Sequence, residues 1–309
     1  MEKKNCILIG VPLDCGKSTQ GCLMGPDSYR TARIVEIIND LGHDVEDFGN
    51  IQPLRVKYAS SNIHNILKFD ENMAWIEALA RVAEDQMAKG FPIFLGGDHA
   101  LSSGTVSGIS AHAAKKNKPL FVLWLDAHAD FHTPQSTVSG NLHGTPVAYF
   151  TGQSGFECFP PLVAPVPTEN VAMIGLRSVD YHEKKALQDL SVSISDMRHI
   201  DEFGVKKPLI SFLNRVKVAN GFLHVSLDVD FLDPAVAPAV GTTVPGGATI
   251  REAHLVMELL YESGLMTSLD LVELNPFLDI YGRTAQLMVD LLASGLGRRV
   301  FDRPNRDLV

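Results

Sequence analysis

PLFVLWLDAHADFHTP, residues 119–134, begins as a continuous apolar run and ends with Asp126, His128, Asp130 and His132 at alternate positions. A strand with one face in water alternates apolar and polar residues. An unbroken run signals a strand covered on both faces, as in a parallel sheet sandwiched by helices. CILIGV (6–11), PIFLGG (92–97), NVAMIGLR (170–177), FLHVSLDVD (222–230) and SLDLVELN (268–275) repeat the pattern and predict further buried strands. Helix-period segments lie between them. In 27–41, Ile34, Ile37, Ile38 and Leu41 share a face, with Asp27 as N-cap and Gly42 as stop. In 72–89, Trp75, Leu79 and Val82 do the same between Asn72 as cap and Gly90 as stop; 251–263 and 283–293 end before Gly264 and Gly295. The alternation predicts an α/β fold, with one parallel sheet of seven or eight strands and helices on both faces, and a single domain over residues 1–309. Residues 131–169, rich in Ser, Thr, Gly and Pro, are expected to form a long functional loop.

Composition narrows the function. The chain is 45% hydrophobic and 20% charged, which suits a globular core. No run reaches the roughly 18 apolar residues of a membrane span, and MEKKNCILIGVP is too short an apolar start for an export signal. A net charge of −9 gives no global attraction for nucleic acid or anionic membrane and suits a cationic ligand. Cys6, Cys15, Cys22 and Cys158 form no CxxC pair, so reduced thiols and a cytoplasmic location are expected. GVPLDCGKS (10–18) approaches a phosphate-binding loop, but five residues rather than four separate Gly10 from Gly16, and Pro12 stiffens the backbone. Such a loop works by aiming successive N–H groups at phosphate, so the extra residue argues against nucleotide binding.

Carboxylates and imidazoles gather where the apolar runs end: Asp98 and His99; Asp126, His128, Asp130 and His132; Asp228, Asp230 and Asp233; Glu273 and Asn275. Ligand sites of open parallel sheets lie at these carboxyl ends. If the strands persist, Asp126, His128 and Asp130 project one way, as do Asp228 and Asp230. Four clustered carboxylates repel one another unless cations neutralise them. Two divalent ions balance Asp126, Asp130, Asp228 and Asp230, and His99 and His128 add neutral nitrogen ligands. Oxygen donors with two imidazoles and no thiolate suit Mn²⁺ better than structural zinc. Such a pair, about 3.5–4 Å apart, generates hydroxide near neutral pH.

At these residues the sequence resembles the arginase family of ureohydrolases. The matching blocks are IGVPLDCGKSTQGCLMGPDSYR (9–30), GGDHALSSGTVSG (96–108), LDAHADFHTP (125–134), SGNLHGTPV (139–147), GLRSVD (175–180), SLDVDFLDP (226–234), GTTVPGG (241–247) and ELNP (273–276). The resemblance implies a three-layer αβα fold with a mostly parallel sheet of about eight strands, two Mn²⁺ per subunit, and a homotrimer or homohexamer. It implies hydrolysis of the guanidino group of L-arginine to L-ornithine and urea. His99 and Asp130 would bind one ion and His128 and Asp230 the other, with Asp126 and Asp228 contributing to both. His143 matches a proton shuttle, Glu273 a carboxylate near the guanidinium, and Thr242 a polar contact beside it. Asp180 and Glu183 lie at the α-amino end, Ser139 at the α-carboxylate, and Asn141 in the same substrate-binding block. Two positions depart from the family. His132 stands where Asn is usual, and Ser178 where Asp is usual. Both lie at the amino-acid end, so they bear on which guanidino compound is used.

The implied mechanism is attack of a metal-bridging hydroxide on a guanidinium carbon held by Glu273, with Asp130 relaying a proton to the leaving nitrogen and His143 exchanging protons with water. Guanidinobutyrate, agmatine or a related compound is the nearest alternative substrate. A metal-dependent deacetylase can share the architecture, but SGNLHG and ELNP argue against it. Intact matches at all six ligands, His143 and Glu273 argue against a non-catalytic paralogue. With the end RRVFDRPNRDLV shortly after the last predicted strand, little tail for elaborate tail-mediated assembly is expected.

Overall fold

Alternate residues of the central strands serve opposite layers of the molecule. In the computed structural model, which describes residues 3–53 and 66–301, the strands are β1 (Asn5–Val11), β2 (Asp44–Asn50), β3 (Phe91–Gly96), β4 (Leu120–Leu125), β5 (Val171–Leu176), β6 (Ser193–Asp196), β7 (Phe222–Asp228) and β8 (Met266–Val272). The helices are α1 (Gly25–Thr31), α2 (Ile34–Asp40), α3 (Phe69–Met87), α4 (Ser102–Lys115), α5 (Pro146–Phe150), α6 (Tyr181–Gln188), α7 (Met197–Phe203), α8 (Lys206–Val218), α9 (Ile250–Ser263) and α10 (Arg283–Gly295). Cys6, Leu8, Ile93, Leu123 and Val225 pack on one side with Tyr29 of α1, Ile38 of α2, Phe212 of α8, Val256 of α9 and Met288 of α10. Ile7, Ile9, Phe94, Val122 and Trp124 pack on the other with Met73 of α3, Val106 of α4 and Phe150 of α5. The pleat sends neighbours to opposite faces, which is why a three-layer fold needs strands apolar throughout.

The eight strands form one sheet in the order β2-β1-β3-β8-β7-β4-β5-β6, parallel at every pairing. The four central strands, β3, β8, β7 and β4, are neighbours. They are also the four whose carboxyl ends carry the clustered Asp, His and Glu residues. The doubly covered sheet thus delivers residues far apart in sequence to one rim.

Several local expectations are corrected. The segment 27–41 is two helices: Arg33 takes φ +66° and breaks it, and Asp27 sits inside the first turn of α1 rather than capping it. Asn72 lies within α3, where its amide donates to the carbonyls of Cys15 and Leu67 at 3.0 and 3.2 Å. α10 runs through Gly295, and α3 ends before Ala88, two residues short of Gly90. The strands β2 and β6 and the helices α4, α6, α7 and α8 were not anticipated. β2 and β6 are the sheet edges, polar and largely solvent-facing, so they carry no apolar run. α4 is buried nearly all round, which erases the amphipathic pattern, and its Ser and Gly residues read as loop. The long segment 131–169 holds α5 and short 3-10 turns at Leu142–Gly144 and Thr168–Asn170. Among the described residues, no helix is long and apolar enough to cross a membrane. Met1, Glu2 and the terminal stretch 302–309 lie outside the described residues.

Candidate metal centre

The two Asp-rich blocks converge, though not as continued strands. β4 stops at Leu125 and β7 at Asp228. The chain then turns sharply, and the first aspartate of each block makes the turn. Asp126 Oδ1 accepts from His128 N–H at 2.7 Å, and Asp228 Oδ1 accepts from Asp230 N–H at 2.7 Å. Each leaves its second oxygen free to face the site. Asp230 Oδ1 accepts from Ala127 N–H at 3.0 Å, tying the two turns together. Asp130 adopts φ +47° and Glu273 φ +67°. Left-handed backbone is uncommon for side chains other than glycine, and both residues hold it at the rim where the candidate donors gather.

Two donor sets result, one of His99, Asp126 and Asp130, the other of Asp126, His128 and Asp230. His99 Nδ1 stands 3.1, 3.2 and 3.0 Å from oxygens of Asp126, Asp130 and Asp228. His128 Nδ1 stands 3.0 Å from Asp230 and 3.5 Å from Asp126. These approaches are not ordinary hydrogen bonds: His99 Nδ1 and Asp126 Oδ2 are both buried without a hydrogen-bond partner. Donors at right angles around an ion with bonds of about 2.1 Å stand about 3.0 Å apart. The spacing and the orphaned atoms fit divalent ions, with Asp126 shared between the two sets.

The electrostatics agree. Burial alone pulls the His99 and His128 pKa values down, but the surrounding carboxylates outweigh it, leaving His99 well above its ordinary value and His128 at about 12. Burial, with neighbouring carboxylates, raises Asp130 and Asp228 well above the usual carboxylate range. Without cations the cluster must hold protons, because buried like charges cannot all ionise.

Support extends beneath the ligands. His99 stacks on Trp124 with ring centroids 4.0 Å apart, and its Nε2 meets Ser226 Oγ at 2.8 Å, leaving Nδ1 to face the carboxylates. Ser226 lies 3.4 Å from Ser102 Oγ, which donates to Asp270 at 2.8 Å; Thr105 donates there as well. Sequence reasoning missed this buried array. A charge inside the apolar run SLDLV was the available signal.

The donor sets floor a cleft of about 310 Å3. It is lined by all the residues assigned to metal, substrate or catalysis from the sequence: His99, Asp126, His128, Asp130, His132, Ser139, Asn141, His143, Asp180, Glu183, Asp228, Asp230, Thr242 and Glu273, with Ser178 beside them. Asp233 is elsewhere, binding the N–H groups of Ala235 and Gly246 in a turn. Asn275 caps the turn at Pro276, and Asp98 binds the N–H of Gly16. Glu273 is buried at the inner end. Its Oε1 accepts from His99 N–H at 2.9 Å and faces His143 Nδ1 at 3.2 Å, while Oε2 pairs with Lys17. Burial opposes its ionisation, but Lys17 and then His143 outweigh that and hold it well below the usual range. At the outer end His132 is engaged at both nitrogens, by Asp180 at 2.9 Å and Ser136 at 3.1 Å. Glu183 accepts from the N–H groups of Phe131 and Asp180, so its carboxylate braces the wall.

A model of the "Arginase family" matches residues 4–297. The chain belongs to the arginase family. It is 59% identical over 301 residues to an arginase of Brucella melitensis, spanning 97% of this chain and 98% of that one. Its identity to an arginase of Agrobacterium fabrum is 55%, over 98% and 94% of the two chains. The crystal structure of arginase from Bacillus subtilis, 36% identical, superposes with a TM-score of 0.85 over 96% of this chain and all of that one. Family membership and the paired donor sets together imply a binuclear metal centre.

Proposed function

We propose that the chain hydrolyses the guanidino group of L-arginine to L-ornithine and urea, using two Mn²⁺ per subunit. The carrying observation is the buried carboxylate of Glu273 at the edge of the donor sets, 2.9 Å from the His99 N–H and in the same cleft. A divalent pair held by His99, Asp126, His128, Asp130, Asp228 and Asp230 would supply hydroxide at neutral pH. Glu273 orients the planar cation and pairs with its charge. Asp130, on its left-handed turn, carries a proton from the nucleophile's side to the leaving nitrogen. His143, partly exposed and beside Glu273, passes to bulk water the further proton released when the next water molecule is ionised to renew the nucleophile. All of Thr242, Ser139, Asn141, Asp180, Glu183 and His132 line the cleft; in this reading Thr242 serves the guanidinium end and the others the amino-acid end.

The paired His132 and Asp180 favour a second reading. With both ring nitrogens of His132 occupied, the outer cleft offers fewer free donors to a carboxylate, which suits agmatine, the guanidino compound without one, over guanidinobutyrate, which keeps its carboxylate. One experiment separates the two. Protein is stripped by chelation, reloaded with Mn²⁺, Co²⁺ or Ni²⁺ singly, and assayed for urea from each compound. Urea chiefly from L-arginine with Mn²⁺ is expected; no urea from any guanidino compound would refute the proposal. The same preparation is expected to be a homotrimer or homohexamer, measured by light scattering, and to reside in the cytoplasm, where its thiols stay reduced.

A further inference from the structure

The loop GVPLDCGKS resembles a phosphate loop and binds a different acid. Lys17 is 3% exposed and its Nζ pairs with Glu273 Oε2, the two side chains lying far apart in sequence and both buried. Lys17 does not line the cleft, whereas Glu273 does. The ammonium therefore reaches Glu273 from behind. The loop is held at several points. Gly16 N–H donates to Asp98 Oδ2 at 2.8 Å, and His143 N–H donates to Gly16 O at 3.0 Å. A Cβ at Gly16 would stand 2.4 Å from Asp98 Oδ1 and 2.5 Å from Ala100 Cβ, so only glycine lets the loop lie this close. Asp98 is a second buried carboxylate within electrostatic reach of Lys17.

This creates a puzzle for a site that binds a cation, because its acceptor already has a resident one. The geometry resolves it. A carboxylate offers about four acceptor positions. In Glu273, Lys17 pairs with Oε2, where Cys22 Sγ is a further, weak neighbour at 3.9 Å, and His99 N–H and His143 Nδ1 address Oε1. These partners fix how the carboxylate is presented to the cleft that Glu273 lines. A buried charge without its partner is strongly unfavourable, so loss of the ammonium would let the carboxylate protonate or turn away.

We propose that Lys17 is a positioning residue for guanidinium recognition, fixing the Glu273 carboxylate from behind the cleft so that it stays charged and oriented toward the substrate. The inference rests on the proposed role of Glu273 at the guanidinium. Lys17 contributes no contact to the substrate itself. It acts by charge as well as by hydrogen bonding, so a neutral donor of similar reach does not replace it.

The test uses the metal-loaded full chain and methylguanidinium as probe, with binding followed by calorimetry and by inhibition of urea release. Lys17→Met and Lys17→Gln should weaken methylguanidinium about tenfold to a hundredfold and raise KM for L-arginine more than they lower kcat. Bound metal per chain should stay unchanged. Lys17→Gln serves if Lys17→Met fails to fold. In a Glu273→Gln background, Lys17→Met should add less than about a twofold further loss, since the pair acts as one unit. Unchanged or tighter methylguanidinium binding by folded, metal-replete Lys17→Gln would overturn the inference, as would an additive loss in the Glu273→Gln background. Wild-type protein that releases no urea but binds methylguanidinium at Glu273, with binding weakened by Lys17→Gln, would refute the proposed reaction and leave this inference standing.

Discussion

Asp126 and Asp228 each do two jobs with two oxygens: one closes the chain's turn, the other faces the centre. Asp126→Ala or Asp228→Ala should therefore lose metal and nearly all activity, checked by elemental analysis beside a urea assay. Either variant retaining two metals and full turnover would contradict the ligand assignment. His143→Ala should lower turnover about 10- to 100-fold with partial rescue by added imidazole; unchanged turnover would remove His143 from the proton path. The pKa shifts set a pH dependence. In metal-free protein, His128 is raised to about 12, so its folded form holds a proton that the unfolded chain releases near pH ~6.5. Its contribution to stability is complete below that lower value and is lost as pH rises towards the upper one. Asp130 and Asp228 are raised as well, so their ionisation with rising pH also weakens the metal-free fold. Metal must displace these protons, so loading at pH 7 in weak buffer should acidify the solution by at least about one equivalent. An indicator dye that registers no acidification would count against this protonation pattern.

Between the elements, glycines decide how closely layers approach. α3 and α4 lie together because Gly108 lets the backbone of Ala80 come near: a Cβ there would stand 2.1 Å from Ala80 O. Backbone cannot yield as a side chain can. Gly108→Ala should destabilise by about 1–3 kcal/mol, read as a lower melting temperature with turnover per folded molecule intact. The elements also show what a sequence hides. β4 and β7 were legible as unbroken apolar runs, but the alternate-position argument for Asp126, His128 and Asp130 assumed a strand that ends at Leu125. The residues converge through tight turns instead. α4 escaped notice because it is buried on all sides and has no polar face to mark its period.

Over the whole molecule, candidate ligands from the ends of β3, β4 and β7 meet in one centre, with Glu273 from β8 beside it. Ions held there would bind the folded chain alone and link its middle strands, so chelation should lower the melting temperature and reloading should restore it. A melting curve indifferent to chelator would argue that the centre does not hold the fold. The sequence by itself determined the layered α/β class and marked six candidate ligands whose crowding calls for cations, because burial on both faces and crowded like charge leave their mark in residue type and order. Only the tertiary structure decided that β3, β8, β7 and β4 are adjacent, that Glu183 braces a wall, and that Lys17 stands behind Glu273. Those facts depend on the order in which strands pair and the path each turn takes, and such long-range pairings are set by packing across the sheet rather than by any local pattern.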